Sequence, residues 1–78
     1  SSPLEKLDLS ENKIGNTSKI FAKALSCCGE NLKYLSLSNT FTEFEPILNA
    51  ITNHCNKLEK LDISKNKLKN DDCRILCN

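Results

Sequence analysis

The sequence lacks both an excess of charge and any long apolar run. Eleven lysine and arginine residues stand against ten aspartate and glutamate residues, so the net charge of the 78 residues is +1. Phosphate binding needs a clear basic excess, so we expect no nucleic-acid partner. No apolar run approaches the roughly 18 residues of a membrane span, so we expect no membrane partner. The opening "SSPLEKLDLS" has neither the basic nor the apolar region of a signal peptide.

Groups suited to catalysis are equally scarce. The chain has one histidine, His54, and its two glycines form no phosphate-binding loop. General acid–base chemistry and phosphate transfer both need more than this. We therefore predict that the chain is not an enzyme and that it holds no cofactor.

The cysteines lack the spacing of a disulfide framework. There are five of them, at Cys27, Cys28, Cys55, Cys73 and Cys77. An odd number favours reduced thiols and a cytoplasmic location, and we expect them on inward helix faces. Adjacent cysteines suit tetrahedral zinc poorly, so we predict no metal site. An extracellular location is the less favoured alternative, although residues 16–18 (Asn-Thr-Ser) form a formal glycosylation acceptor.

One pattern is abundant: an eleven-residue motif occurs three times. It reads "LEKLDLSENKI" at residues 4–14, "LKYLSLSNTFT" at 32–42 and "LEKLDISKNKL" at 58–68. The copies start 28 and 26 residues apart, which predicts repeats at about 4–31, 32–57 and 58–78, the last one incomplete. Repeat arrays usually need polar caps at their ends, so we expect this segment to belong to a longer array.

Each copy predicts a short strand followed by a turn. In the L-x-L core of the motif the two apolar side chains point to one face and the middle one to the other. We expect one buried row of apolar residues: Leu7, Leu9, Leu35, Leu37, Leu61 and Ile63. The polar residue after the strand can satisfy backbone groups at the turn. Stacking should align these residues in a buried ladder of Asn12, Thr40 and Asn66, in which the shorter Thr40 is the weakest rung.

The second half of each copy predicts a helix. Small and apolar residues recur at helical spacing at Ser18, Phe21, Ala22, Leu25 and Cys28, then at Phe44, Ile47, Leu48, Ile51 and Cys55. A third, shorter set is Cys73, Leu76 and Cys77, after residues 70–72 (Asn-Asp-Asp). The first helix should start at the cap cluster 16–18, and Pro46 suits a first helical turn.

The three motif copies and the intervening helices resemble the leucine-rich repeat family. The repeat length and the segment "NKLKNDDCRILC" are similar to its ribonuclease-inhibitor-like subclass. The resemblance implies an α/β solenoid with a parallel β-sheet on the concave side and α-helices on the convex side. Thr42 departs from the family, which has an aliphatic residue there, and Phe41 or Phe44 is the candidate to fill that space.

The family binds proteins on the concave sheet. The outward strand positions here form a column of Lys6, Tyr34 and Lys60 and a column of Asp8, Ser36 and Asp62. These six residues are the predicted partner-binding surface. Tyr34 carries the most weight, because exposed aromatics with a polar end are enriched at interface hot spots. The loop lysines Lys65, Lys67 and Lys69 are interpreted as solvated.

The predicted function is a non-catalytic protein–protein interaction scaffold, and the sequence does not name the partner. One alternative is a regulatory repeat domain of a GTPase-activating or immune-sensor-type protein. The first of these needs an exposed arginine or asparagine at a loop facing the nucleotide, whereas Arg74, the only arginine, falls in a predicted helix. The other alternative is a structural spacer in a large assembly.

Overall fold

A computed structural model describes residues 3–13, 15, 17–41 and 43–69. It contains a three-stranded parallel sheet and two helices, which alternate along the chain. The elements are β1 (Lys6–Asp8), α1 (Ser18–Cys28), β2 (Tyr34–Ser36), α2 (Glu45–His54) and β3 (Lys60–Asp62). This order is what an α/β repeat fold requires. The predicted third helix lies outside the described residues.

The sheet runs in sequence order, β1–β2–β3, and its register follows the repeat motif. Leu7 pairs with Leu35, and Leu35 pairs with Leu61. Side chains alternate between the faces of a strand, so matched leucines point together into one layer. The motif spacing therefore predicted the register correctly.

The core is centred on the middle copy of the motif. Leu35 and Leu37 of this copy are completely buried, together with Ile47 and Leu48 of α2. The equivalent residues of the flanking copies pack against this cluster but are only half-buried: Leu7, Leu9, Leu61 and Ile63. The prediction of one continuously buried row is thus wrong at both ends. A flanking strand has a described neighbour on one side only, so half of its apolar contact area has no partner.

Three aromatic rings extend the core toward the turns. The Phe21 and Phe41 rings lie 5.2 Å apart between centroids, and Phe44 meets Phe41 edge to face at 5.9 Å. Such tilted pairs are favoured over face-to-face stacking. Both candidates for filling the space at Thr42 are buried, and Thr42 itself lies outside the described residues.

The two helices pack against each other, and their carboxyl ends lie close together. The α1 face toward the core buries Ser18 and Leu25, as predicted. The next residue after α1, Gly29, approaches the end of α2 so closely that a Cβ there would lie 2.8 Å from the Cys55 Sγ. Neither described helix has the length and apolarity to cross a membrane.

Both helices begin at the positions that the sequence predicts, although not every predicted contact is made there. Helix α1 begins at Ser18 directly after Thr17, whose side chain makes no capping hydrogen bond. Pro46 lies in the first turn of α2, as predicted, next to the acidic Glu45. A negative charge in the first turn stabilises a helix through its macrodipole.

Candidate protein-binding surface

A lysine–tyrosine–lysine row crosses the three strands. The strand register aligns Lys6, Tyr34 and Lys60 on adjacent strands. The Lys6 Nζ lies 5.1 Å from the centre of the Tyr34 ring, which is a cation–π distance. Tyr34 is half-buried, while the two lysines are exposed. The row therefore presents a positioned aromatic ring flanked by two flexible cations.

The second row contains two aspartates and a serine. Asp8, Ser36 and Asp62 are register partners. Both aspartates are exposed, but Ser36 is only 2 % exposed. The expectation that Ser36 offers a contact surface is wrong, because its short side chain lies between two longer neighbours on adjacent strands. We call the six residues of both rows the exposed sheet face, and five of them reach solvent.

The two aspartates are held in identical local turns. Asp8 Oδ1 accepts hydrogen bonds from the Ser10 hydroxyl at 2.6 Å and the Ser10 N–H at 2.9 Å. Asp62 Oδ1 accepts the same pair from Ser64, at 2.7 and 3.0 Å. Each turn fixes one carboxylate at the end of a flanking strand and is the Asx type that lets aspartate replace a backbone acceptor.

These hydrogen bonds favour the ionised carboxylates. The Ser10 hydroxyl, then its N–H, and the Lys6 charge lower the pKa of Asp8. The Ser64 N–H and hydroxyl lower the pKa of Asp62, although the Asp8 charge opposes this. Donated hydrogen bonds stabilise the charged form of an acid. The exposed sheet face therefore carries fixed negative charge next to the two lysines.

A left-handed turn follows each strand. Glu11, Asn39 and Lys65 occupy equivalent positions in the motif, and all have positive φ, between 53° and 65°. The Glu11 N–H donates to the Ser38 carbonyl at 2.7 Å, and the Asn39 N–H donates to the Ser64 carbonyl at 3.1 Å. The strained residues thus continue the hydrogen bonding between repeats beyond the end of the sheet.

The predicted ladder is built unevenly. The Asn66 amide donates to Leu37 O at 2.8 Å and to Ile63 O at 2.9 Å, and its Oδ1 accepts from the Thr40 N–H at 3.0 Å. It joins the second and third repeats. Thr40 is buried, and its hydroxyl donates to Leu37 O of its own repeat at 2.6 Å.

The first rung differs from the expectation. Asn12 is exposed, and its amide bonds only carbonyls of its own turn, Leu9 O at 3.1 Å and Ser10 O at 3.4 Å. The asparagine of one repeat reaches back to the repeat before it, as Asn66 does, and the described chain offers Asn12 no earlier carbonyl. Thr40 is therefore buried, Asn66 is half-buried, and the expectation of a buried position is wrong for Asn12.

The thiols do not all face inward. Cys55 is buried, and this burial raises the pKa of its thiol, to which nearby Cys28 adds. Cys27 and Cys28 are exposed, which contradicts the expectation for both. The close contact with Cys55 is made by Gly29, one residue beyond α1. Cys73 and Cys77 lie outside the described residues, within which no group of His, Cys, Asp or Glu side chains is arranged to hold a metal.

Sequence reasoning missed one basic cluster. Lys13 and Lys67 occupy the same motif position, in "NKI" and "NKL", and with Lys65 they surround a pocket beside the ladder. The recurrence of lysine at one position of the repeat was the available signal. Interpreting Lys65 and Lys67 as part of one solvated loop does not predict this cluster.

Comparison with known proteins agrees with the repeat architecture. The family model described as Leucine Rich repeat matches residues 1–18 and 54–77, which together exceed half of the chain. No curated protein and no solved structure matches the sequence significantly. Domains of this family generally mediate protein–protein interactions and are typically non-catalytic. The chain belongs to the leucine-rich repeat family.

Proposed function

We propose that this chain is a non-catalytic protein-interaction module that binds a protein partner through the exposed sheet face. The observation that carries the proposal is the position of Tyr34, which is half-buried in the centre of the sheet under Lys6. A ring held in this way loses little conformational freedom when a partner covers it. Central aromatic residues of this kind supply much of the energy of protein interfaces.

The surrounding charges would supply specificity. Lys6 and Lys60 flank the ring. The hydrogen-bonded Asp8 and Asp62 lie two residues further along the same strands. Mixed charges in fixed positions mainly control which partner binds and how fast it associates. Ser36 is buried between them and is not proposed as a contact.

The proposal extends to the architecture. We infer an α/β solenoid of the ribonuclease-inhibitor-like subclass, with the exposed sheet face on its concave side and repeats at about 4–31, 32–57 and 58–78. Two features support this: the strands recur every 28 and 26 residues, and full α-helices of 11 and 10 residues connect them. Arg74, on which the GTPase-activating alternative depends, lies outside the described residues.

The experiment compares the two sides of the molecule. A partner captured with the wild-type chain would be titrated with the wild type and with two variants, Tyr34→Ala and Lys23→Ala. Lys23 is an exposed residue of α1. Tyr34→Ala should lose about 1 kcal/mol or more, roughly fivefold in Kd, and Lys23→Ala should lose little. Circular dichroism would confirm that both variants fold. If only Lys23→Ala weakens binding, the partner occupies the helical side, and if nothing is captured, the structural-spacer alternative is favoured.

We also propose a reducing, cytoplasmic location. The odd cysteine count supports it, as do the free thiols of Cys27, Cys28 and Cys55. Intact mass measured without reductant tests this, since each disulfide removes two hydrogens. A bridged native protein would contradict the proposed location.

A further inference from the structure

A pocket lies beyond the exposed sheet face, where the chain turns after each strand. Its volume is about 310 Å³, near the lower end of ligand pockets. It is formed by loop residues of all three repeats: Lys13, Gly15, Asn39, Thr40, Phe41, Lys65, Asn66 and Lys67. No residue of the predicted partner-binding surface contributes to it.

The pocket collects positive charge. Lys13, Lys65 and Lys67 line it, and none of the lining residues that the structure describes is acidic. Within the described residues the one ion pair joins Lys33 to Glu5, so these three ammonium groups form no salt bridge there, although the Lys65 charge acts on the Asp62 carboxylate. Like charges around one small space repel each other, and a bound anion would remove that repulsion.

The uncharged lining residues carry two kinds of polar group: those whose hydrogen bonds are already made within the protein, and those that can still bond a ligand. The Asn66 side chain and the Thr40 N–H are bonded to each other at 3.0 Å, and the Thr40 hydroxyl is bonded to Leu37 O. They shape the wall but have little capacity left for a ligand. The Asn39 backbone N–H bonds Ser64 O, whereas its side-chain amide makes no hydrogen bond within the described residues and can donate one.

We propose that this pocket binds a glutamate side chain presented by an acidic peptide segment of a protein partner. The lysine ammonium groups and the Asn39 amide match the carboxylate, and the lysine methylenes, with Phe41 among the lining residues, suit the apolar stem of glutamate. A polyphosphate chain fits less well. It has no apolar stem to set against the pocket lining, which is more apolar than polar.

The test is a nuclear magnetic resonance titration of the chain with a capped pentaglutamate peptide at low ionic strength. Backbone amide shifts should concentrate at Lys13, Asn39 and Lys67, should saturate, and should weaken when salt is added. A capped pentaglutamine peptide of equal length is the neutral ligand control, and inorganic phosphate is the control for a simple anion site.

Two double variants with the same change in net charge separate the pocket from general surface charge. Lys13→Gln/Lys67→Gln should weaken pentaglutamate binding roughly two- to tenfold, the range expected for losing two exposed charge contacts. Lys19→Gln/Lys23→Gln, on exposed positions of α1, should leave it unchanged.

Three results would overturn the proposal. The first is equal weakening by both double variants, which would mean diffuse attraction. The second is an equal response to pentaglutamine. The third is phosphate binding at the same loops as tightly as pentaglutamate, which would identify an inorganic anion site instead. Because the concave-face proposal is tested with Tyr34→Ala, either proposal can fail without the other.

Discussion

The middle repeat and the two flanking repeats share one motif but have different environments. Leu35 is completely buried, whereas its register partners Leu7 and Leu61 are half-buried. All three are leucines at the same motif position. Burial in a stacked array therefore depends on how many neighbours a repeat has, because each repeat contacts only the ones next to it.

The polar positions show the same contrast more sharply. At two motif positions the middle repeat places a hydroxyl side chain where the flanking repeats place a larger polar group, and both of these residues, Ser36 and Thr40, are buried. Of their motif equivalents, Asp8, Asp62 and Asn12 are exposed and Asn66 is half-buried. A buried unpaired charge is costly, so a serine in place of the flanking aspartates fits the lack of solvent at position 36.

Thr40 illustrates how the middle repeat tolerates its departure from the motif. Leu37 O accepts hydrogen bonds from both the Thr40 hydroxyl, at 2.6 Å, and the Asn66 amide, at 2.8 Å. The backbone group at this turn is thus satisfied partly by the next repeat. A shorter residue in the middle is acceptable because Asn66 reaches back to it.

The largest expected effect comes from truncating the same leucine in the two environments. Leu35→Ala should cost about 2–5 kcal/mol of unfolding free energy, the range for fully buried leucine. Leu7→Ala should cost less than half as much, since much of its side chain already contacts water. Urea unfolding of both variants would measure the difference.

Leu35→Val provides a measurement if Leu35→Ala leaves no folded baseline. This smaller truncation should still cost about 1 kcal/mol. Equal losses for Leu35→Ala and Leu7→Ala would mean that the first repeat is as well packed as the middle one, and the contrast in burial would have no energetic meaning.

The second contrast concerns the asparagines. Asn66→Ala removes donors to Leu37 O and Ile63 O and the acceptor for the Thr40 N–H. Leaving such partly buried groups unpaired costs about 1–3 kcal/mol. Asn12→Ala should cost well under half of this, because water can replace its bonds. Thermal unfolding of both would compare them, and a costlier Asn12→Ala would contradict the unequal ladder.

The sequence predicted relations within a repeat better than relations between repeats. The spacing of Leu7, Leu35 and Leu61 fixed the strands and their register, because strand alternation and repeat length are local properties. It failed at Ser36 and Asn12, whose exposure depends on the neighbouring copy. It also failed at Cys28, because the close approach between the helices falls one residue later, at Gly29.

Part of the candidate site followed from the motif and part did not. The outward row with Tyr34 follows from alternation alone. The pocket lysines Lys13 and Lys67 are 54 residues apart in the sequence and line one pocket only because the loops of the three repeats stack. Taken alone, either loop segment has the composition of a solvated loop. Alignment of the repeats places Lys13 and Lys67 at the same motif position.

The smallest expected effect tests the charges that distinguish the flanking repeats from the middle one. The pKa values of Asp8 and Asp62 are lowered by hydrogen bonds from Ser10 and Ser64. A carboxyl with a lowered pKa in the folded state binds protons less readily than in the unfolded state, so it contributes stability above its ordinary pKa. That contribution is lost as the pH falls below about 4, the ordinary carboxyl pKa, and then through the lowered pKa of the folded state.

Replacing both carboxylates should therefore flatten the acid side of the stability profile. Asp8→Asn/Asp62→Asn keeps an oxygen that accepts the serine hydrogen bonds but removes the titration, so its stability should change less between pH 6 and pH 2 than that of the wild type. Urea midpoints at several pH values would show this. Glu30→Gln/Glu59→Gln removes two exposed carboxylates outside these turns and is the matched control. If the control flattens the profile as much as the aspartate pair does, the turns add nothing specific, and the acid sensitivity belongs to the overall charge rather than to the flanking repeats.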